Sequence, residues 1–210
     1  MDEFGKDAWE QRWRRARDAG PGSMGDSPPN PYLAEEIGHL APGSALDAGC
    51  GAGAEASQIA SAGWQVTAVD ISTEALARAA ERAALSGAAD RVRWVEADLS
   101  AWDPGTRFDL VTTHYAHPAT PQLEFYDRIA EWVAPGGMLL VVGHRHSHGA
   151  TGLGNHPPAE ASTTAAAVTA RLDEAIWTIA TADERVRTLT GPGGQAVTLN
   201  DVVVRATRRN

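Results

Sequence analysis

The chain has 210 residues, 43% hydrophobic and 21% charged, with 27 acidic against 18 basic side chains and a net charge of −9. That length can bury one sizeable core, and that balance is ordinary for a soluble globular protein. It excludes a broad nucleic-acid footprint, a membrane span of roughly 20 apolar residues and, with Cys50 as the single cysteine, an internal disulfide.

Residues 4–18 read as an N-terminal helix in which Trp9 and Trp13, four apart, share a face. They either dock this helix on the body or, with Tyr32, touch a ligand as part of a lid. A Gly/Pro/Ser-rich stretch from Gly20 to Pro31 is too rich in breakers for regular structure. A short helix from Tyr32 to Leu40 then leads through Ala41-Pro42-Gly43 to an apolar strand end, Ser44-Ala45-Leu46.

The segment Asp47-Ala48-Gly49-Cys50-Gly51-Ala52-Gly53-Ala54 follows, a run of alternate glycines opening an alanine-rich helix over Glu55–Ala62. Glycine reaches positive φ and lets backbone approach a ligand closely, and a helix start offers free N–H groups. This is a cofactor loop, with Cys50 inside it as a small packing residue. The glycines satisfy the dinucleotide pattern G-x-G-x-x-G/A. They equally satisfy a second pattern, with an acid two places before three alternating glycines.

Strand Trp64–Asp70 ends in an acid about 20 residues beyond the loop, where a Rossmann-type fold places a carboxylate on ribose hydroxyls. Ser72 or Thr73 caps the next helix, which runs to Ser86. A third strand over Arg91–Leu99 carries a second acid, Asp98. Phe108–Thr113 is the fourth strand, followed by His114-Tyr115-Ala116-His117-Pro118 and a helix from about Pro121 to Val133. Ala134-Pro135-Gly136-Gly137 then turns into strand Met138–Gly143.

Taken together, the Asp47–Gly53 loop, the acids Asp70 and Asp98, Phe108-Asp109-Leu110-Val111 and Ala134-Pro135-Gly136-Gly137 resemble a class I S-adenosylmethionine-dependent methyltransferase. The match is close over residues 40–145. The Trp-rich first helix and compact size are similar to the small-molecule branch related to tellurite-resistance and thiopurine-type methyltransferases. The resemblance implies an α/β fold: a Rossmann-like, seven-stranded, mostly parallel sheet with a C-terminal antiparallel strand pair and an N-terminal helical cap. It implies one domain over 1–210, with a cap or lid at 1–40, a cofactor-binding core at 41–145 and a closing segment at 146–210.

The implied cofactor is S-adenosyl-L-methionine, giving S-adenosyl-L-homocysteine, held by Asp47, Gly49, Cys50, Gly51, Gly53, Asp70, Ile71, Asp98, Leu99 and His114. Asp98 would accept from the adenine amine, flanked by Ala97, Leu99 and Trp102. The acceptor is expected to be a small-molecule O, S or N nucleophile. His117 is the preferred base, with His114 beside it and Tyr115 as an orienting hydroxyl; histidine's ordinary pKa lies near neutrality. A non-methylating or regulatory protein on the same fold, and an NAD(P)-dependent oxidoreductase, are the rival readings.

Past Gly143, His144, His146 and His148 alternate, with His156 beyond them. In an extended segment the first three would point one way, as weak candidate metal ligands; a polar loop or substrate contact accounts for them as well. Residues 149–163 read as a loop and Thr164–Leu172 as a helix. Ala175–Leu189 and Ala196–Arg208 read as an antiparallel pair closing the sheet. The N-terminus lacks a signal peptide's apolar core. The expectation is therefore a cytoplasmic monomer or homodimer with a small-molecule acceptor and neither nucleic-acid nor membrane partners.

Overall fold

A computed structural model of the chain describes residues 4–19, 24–145, 162–190 and 196–210. Six helices are seen among them: α1 (Lys6–Asp18), α2 (Pro31–Ile37), α3 (Ala54–Ser61), α4 (Thr73–Ser86), α5 (Gln122–Glu131) and α6 (Ala165–Thr169). The strands are β1 (Ser44–Ala48), β2 (Gln65–Asp70), β3 (Val92–Glu96), β4 (Phe108–His114), β5 (Val133–Arg145), β6 (Ser162–Thr163), β7 (Trp177–Thr190) and β8 (Ala196–Arg208). No described helix is long and apolar enough to cross a membrane.

Local chemistry sets the helix ends. Asn30 caps α2 by accepting from Tyr32 N, with Pro31 in the first turn where its missing N–H costs nothing. Ser72 caps α4 by accepting from Ala75 N, and Gly87 ends it at φ 70°, a left-handed geometry natural to glycine.

Seven strands form the sheet path β3-β2-β1-β4-β5-β8-β7, parallel from β3 through β5 and antiparallel where β8 meets β5 and β7. An eighth, two-residue strand, β6, pairs with the end of β5 inside the stretch expected to be a loop. Two boundaries differ from expectation. The third strand stops at Glu96, because Asp98 turns back to accept from Ser100 N and Oγ. Ala134–Gly137 does not precede β5 but is taken into it as an irregularity: Phe108 pairs with Val133 and Leu110 already with Met138.

Side chains alternate across β5 and so feed two cores. Leu139 and Val141 pack with Phe125 and Ile129 of α5 and Val168 of α6. Met138, Leu140 and Val142 pack in the other core, with Leu33 of α2, Ile59 of α3 and Leu76 of α4. The sheet is thus covered on both faces, which accounts for its near-continuous apolar strands.

α1 is attached differently. Its buried Glu10 accepts from Thr73 N (2.7 Å), Thr73 Oγ1 (2.6 Å), Ser72 Oγ (3.2 Å) and Glu74 N (3.3 Å), so a side chain of α1 closes the N-terminus of α4. Burial alone would raise the Glu10 carboxyl, but the bonds from Thr73, Glu74 and Ser72 outweigh it and lower it below the ordinary value. Arg14 and Arg17 add ion pairs to Glu74.

A depressed carboxyl stabilises the fold above its unfolded pKa and loses that contribution as pH falls through the folded one. Glu10→Gln is therefore expected to lower unfolding stability by about 1–2 kcal/mol at pH 7. The gap to the parent should close below about pH 4, near the unperturbed carboxyl value. Urea unfolding of both proteins across that range reads this directly; a gap that does not change with pH would refute the ionised cap.

Candidate active site

The sheet order reverses between β1 and β4, and at such a switch point the carboxyl ends of parallel strands leave a crevice. Here the loops after β1 and β4 meet: a Cβ built on Gly49 would lie 2.4 Å from Ala116 Cβ. Above them opens a cleft of about 1350 Å³, roofed by Phe4 and, from α1, by Trp9, Arg12 and Trp13. That exceeds the roughly 300–1,000 Å³ of a usual small-molecule pocket.

The glycine loop spends its amides internally. Gly49 N and Cys50 N both donate to Val69 O, Gly53 N donates to Cys50 O, and Gly51 N donates to Asp70 Oδ2 at 2.8 Å. Asp70 also accepts from Ser72 N through Oδ1 at 2.9 Å, so one carboxylate ties the loop after β1 to the end of β2 while facing the cleft. Burial raises the Asp70 carboxyl, opposed by the amides of Ser72, Gly51 and Ile71. Asp47 lies beneath, 1% exposed, with Oδ2 lacking a hydrogen-bond partner among the described residues; burial, then Glu55 and Asp70, push its carboxyl well up. Burial likewise raises the Cys50 thiol, keeping it neutral.

On the opposite wall, His114 ends β4. Its Nδ1 lies 3.3 Å from Thr112 Oγ1, and its buried Nε2 has no partner among the described residues. Burial lowers its pKa. Tyr115 holds φ 53°, the one positive-φ non-glycine described, a geometry that costs about 1–3 kcal/mol. Three contacts hold it there. Asn30 Nδ2 donates to its hydroxyl at 3.0 Å, Arg187 donates at 2.9 Å, and its ring stacks on His144 at 4.4 Å between centroids. Arg187 is in turn paired with buried Asp201 at 2.7 Å. Burial raises the Tyr115 phenol, with Asp201 next in effect, so it stays protonated.

His117 sits among rings, with centroids 5.3 Å from His144, 6.0 Å from Phe4 and 6.2 Å from Trp9. Its Nε2 is buried without a partner among the described residues. Burial, then His144 and Arg12, bring its pKa down to about 4. Burial brings His144 down to about 4 as well.

Of the residues singled out in the sequence, the cleft collects Gly49, Cys50, Gly51, Asp70, Ile71, Asp98, Leu99, His114, Tyr115 and His117, together with His144. Asp47 and Gly53 are not among its lining. Asp47 is buried under the loop, and Gly53 caps α3 at φ 69°, where a Cβ would strike Ala79 and Trp94. Ala97 lines the cleft, whereas Trp102 packs edge-on against Trp132, 5.4 Å away. His146, His148 and His156 lie outside the described residues, and no metal-holding cluster occurs among the described ones. Sequence reading missed Glu10, Asn30, Glu55 and Arg187. All four depend on contacts 25 to 85 residues apart or on partners with no local pattern, such as Asn30 N to Glu55 Oε1 at 2.9 Å.

A family model described as a methyltransferase domain matches residues 45–137, the stretch from β1 into the start of β5. Over that stretch, less than half of its length, the chain is similar to methyltransferases. It is 29% identical over 147 residues to a probable thiol methyltransferase of Arabidopsis thaliana, covering 68% of this chain and 63% of that relative. The chain thus spans less than two thirds of that relative's length. Among solved structures, it is similar to the protein studied for conversion of a disulfide bond into a thioacetal group during echinomycin biosynthesis. There the TM-score is 0.70 at 20% identity, covering 97% of this chain and 91% of the other. It is similar also to magnesium protoporphyrin IX methyltransferase from Synechocystis with bound S-adenosylhomocysteine (TM-score 0.65, 20% identity, 100% and 97% covered).

S-adenosylmethionine, the cofactor of such methyltransferases, fits the chemistry of the cleft. Glu55, Asp70, Glu96 and Asp98 line it beside Lys6, Arg12 and Arg187, and the carboxylates suit a ligand with sulfonium and ammonium charges. A pyrophosphate would be repelled by Glu55 in the first turn of α3 and would find four loop amides already spent. That is the physical distinction between the two glycine patterns.

Because burial holds His117 neutral, its ring resonances should stay flat from pH 8 to 5.5 and move only near pH 4. A two-dimensional NMR titration with a His117→Gln control for assignment checks this; a midpoint near 6.5 would show a solvated ring.

Proposed function

We propose that the chain transfers a methyl group from S-adenosylmethionine to a small-molecule nucleophile, with His117 accepting the acceptor's proton. The observation that carries this reading is the pairing, across one cleft, of an acid-lined glycine loop with a neutral, unpartnered imidazole. Asp70, already fixed by Gly51 N and Ser72 N, has lone pairs left for ribose hydroxyls. Asp98, between Ala97 and Leu99, serves the adenine amine; Ile71 flanks the ring; Gly49, Cys50 and Gly51 floor the site. Asp47 and Gly53 act from beneath, by shaping the loop. His114 stands beside the methionine moiety.

When bound, the cofactor supplies a methyl group on positively charged sulfur, so the acceptor's lone pair forms the new bond while the broken C–S pair stays on sulfur. The protein's share is alignment, which can supply about 7–11 kcal/mol, and removal of a proton where the nucleophile carries one. His117 Nε2 takes that proton. Tyr115, its hydroxyl engaged by Asn30 and Arg187, orients the wall that His144 and His117 continue. The Arabidopsis relative is called a probable thiol methyltransferase, which puts thiols first among the acceptors to try.

Labelled-methyl transfer to pools of thiols, phenols, carboxylic acids, amines and chalcogen oxyanions tests the reading, with a chelator arm for the His144–His148 segment. Turnover in the thiol or phenol pool is expected. His117→Ala should lower kcat by about 10²–10⁴ with S-adenosylhomocysteine affinity unchanged, and Asp70→Ala should weaken that affinity by about tenfold or more. Binding of the cofactor with no transfer to any pool would leave a non-methylating, cofactor-binding protein.

A further inference from the structure

A second cleft, about 680 Å³, is lined by His117 and by no residue of the glycine loop. It shares Phe4, His117, Pro118 and Ala119 with the main cleft, so the two meet at the imidazole. Its remaining walls come from the start of α5 (Pro121, Gln122, Leu123) and from β6 and α6 (Thr163, Thr164, Ala167). None of its described lining residues carries a formal charge, since burial keeps His117 neutral. The charged residues of the site, Arg12, Asp70, Asp98 and Arg187 among them, line the main cleft only.

Two polar atoms in this apolar wall are left over. Thr163 is 7% exposed, and its Oγ1, like His117 Nε2, is buried without a hydrogen-bond partner among the described residues. Its neighbours account for themselves: Thr164 Oγ1 accepts from Ala167 N, and Gln122 Nε2 donates to Ala116 O. A buried hydroxyl without a bond is unfavourable, and a ligand's polar atom is one partner that would satisfy it. β6 exists only through its pairing with the end of β5, and that pairing brings Thr163 to this wall.

We propose that this second cleft is the acceptor subsite, and that it takes an uncharged, apolar molecule whose nucleophile is a neutral O–H or S–H group. The inference rests on the methyl-transfer reading. The O–H or S–H donates to His117 Nε2 at the junction of the clefts, the apolar body lies against Leu123, Pro121 and Ala167, and Thr163 Oγ1 bonds a polar atom further along. A carboxylate or ammonium on that body is rejected, because burying a charge without a partner costs far more than the contacts return.

Binding to the full-length chain loaded with S-adenosylhomocysteine tests this without requiring turnover. The probes are 2-naphthol and benzyl mercaptan, both neutral at pH 7, with their charged twins 6-hydroxy-2-naphthoate and 4-(mercaptomethyl)benzoate. Calorimetry should show the neutral pair binding at least about tenfold tighter than the twins, the equivalent of about 1.4 kcal/mol. Ala167→Phe, which fills the cleft, should weaken the neutral probes about tenfold or more and leave S-adenosylhomocysteine affinity unchanged. Thr163→Val, of equal shape, separates the hydroxyl from the space it occupies and should weaken only probes bearing a second polar atom, such as 2,6-dihydroxynaphthalene.

Charged twins that bind equally well, Ala167→Phe without effect, or failure of both neutral probes to bind would overturn the subsite. If the probes bind in this pattern and no methyl is ever transferred, the subsite stands and the transfer reading falls. If methyl reaches other acceptors and Ala167→Phe is silent, the reverse holds.

Discussion

One hydrogen bond, from Gly51 N to Asp70 Oδ2, carries the geometry on which the rest of the cleft depends. Gly51 at φ 50° belongs to a turn whose every second residue is a left-handed glycine, with only Cys50 and Ala52 as side chains to pack. Asp70 adds a side-chain constraint from the neighbouring strand, and its second oxygen fixes Ser72 N at the entry to α4. One half-buried carboxylate therefore sets the loop after β1, the end of β2 and the start of the next helix relative to one another. Its residual lone pairs face the cleft, so the atom group that braces the loop is also the one placed to read a ribose.

The same corner receives the N-terminal helix. Ser72 is N-cap of α4 through its own hydroxyl, and Glu10 completes the capping from α1 by reaching Thr73 N and Glu74 N. Trp13 lies over the loop, where a Cβ on Gly51 would come within 3.2 Å of its indole. The roof of the cleft is thus attached to the braced corner, with Lys6 adding an ion pair to Glu96 at the end of β3, and the tryptophans of α1 both pack against the body and line the cleft.

What the chain disclosed on inspection was whatever repeats locally. Alternating glycines, strand-end acids at Asp70 and Asp98 and the apolar run of β5 each state their structure within a dozen residues, so the parallel core was legible, as was the closing pair β7–β8. The boundaries that shifted did so through tertiary pairing. Phe108 finds Val133, which draws Ala134–Gly137 into β5, and His144 finds Ser162, which creates β6 from a stretch with no strand pattern. Site residues divide the same way. Histidines after β4 are visible as types in a sequence, but Glu10, Arg187 and Thr163 owe their positions to partners 63, 72 and 18 residues away, at Thr73, Tyr115 and Arg145.

Burial also decides what kind of base His117 can be in the proposed reaction. A pKa of about 4 means the ring is free of its proton throughout the physiological range, yet too weak to ionise a phenol or alkyl thiol beforehand. Such a base acts late: as the nucleophile's lone pair is committed to the new bond, its remaining proton becomes strongly acidic, and only then does transfer to Nε2 run downhill. The surroundings that weaken the imidazole also leave Nε2 without a competing partner among the described residues, so its hydrogen bond is open to the acceptor. An acceptor ionised in solution would have no use for this group and would have to shed its hydration to enter. The environment that makes His117 a poor general base for anions thus makes it a selective one for neutral nucleophiles.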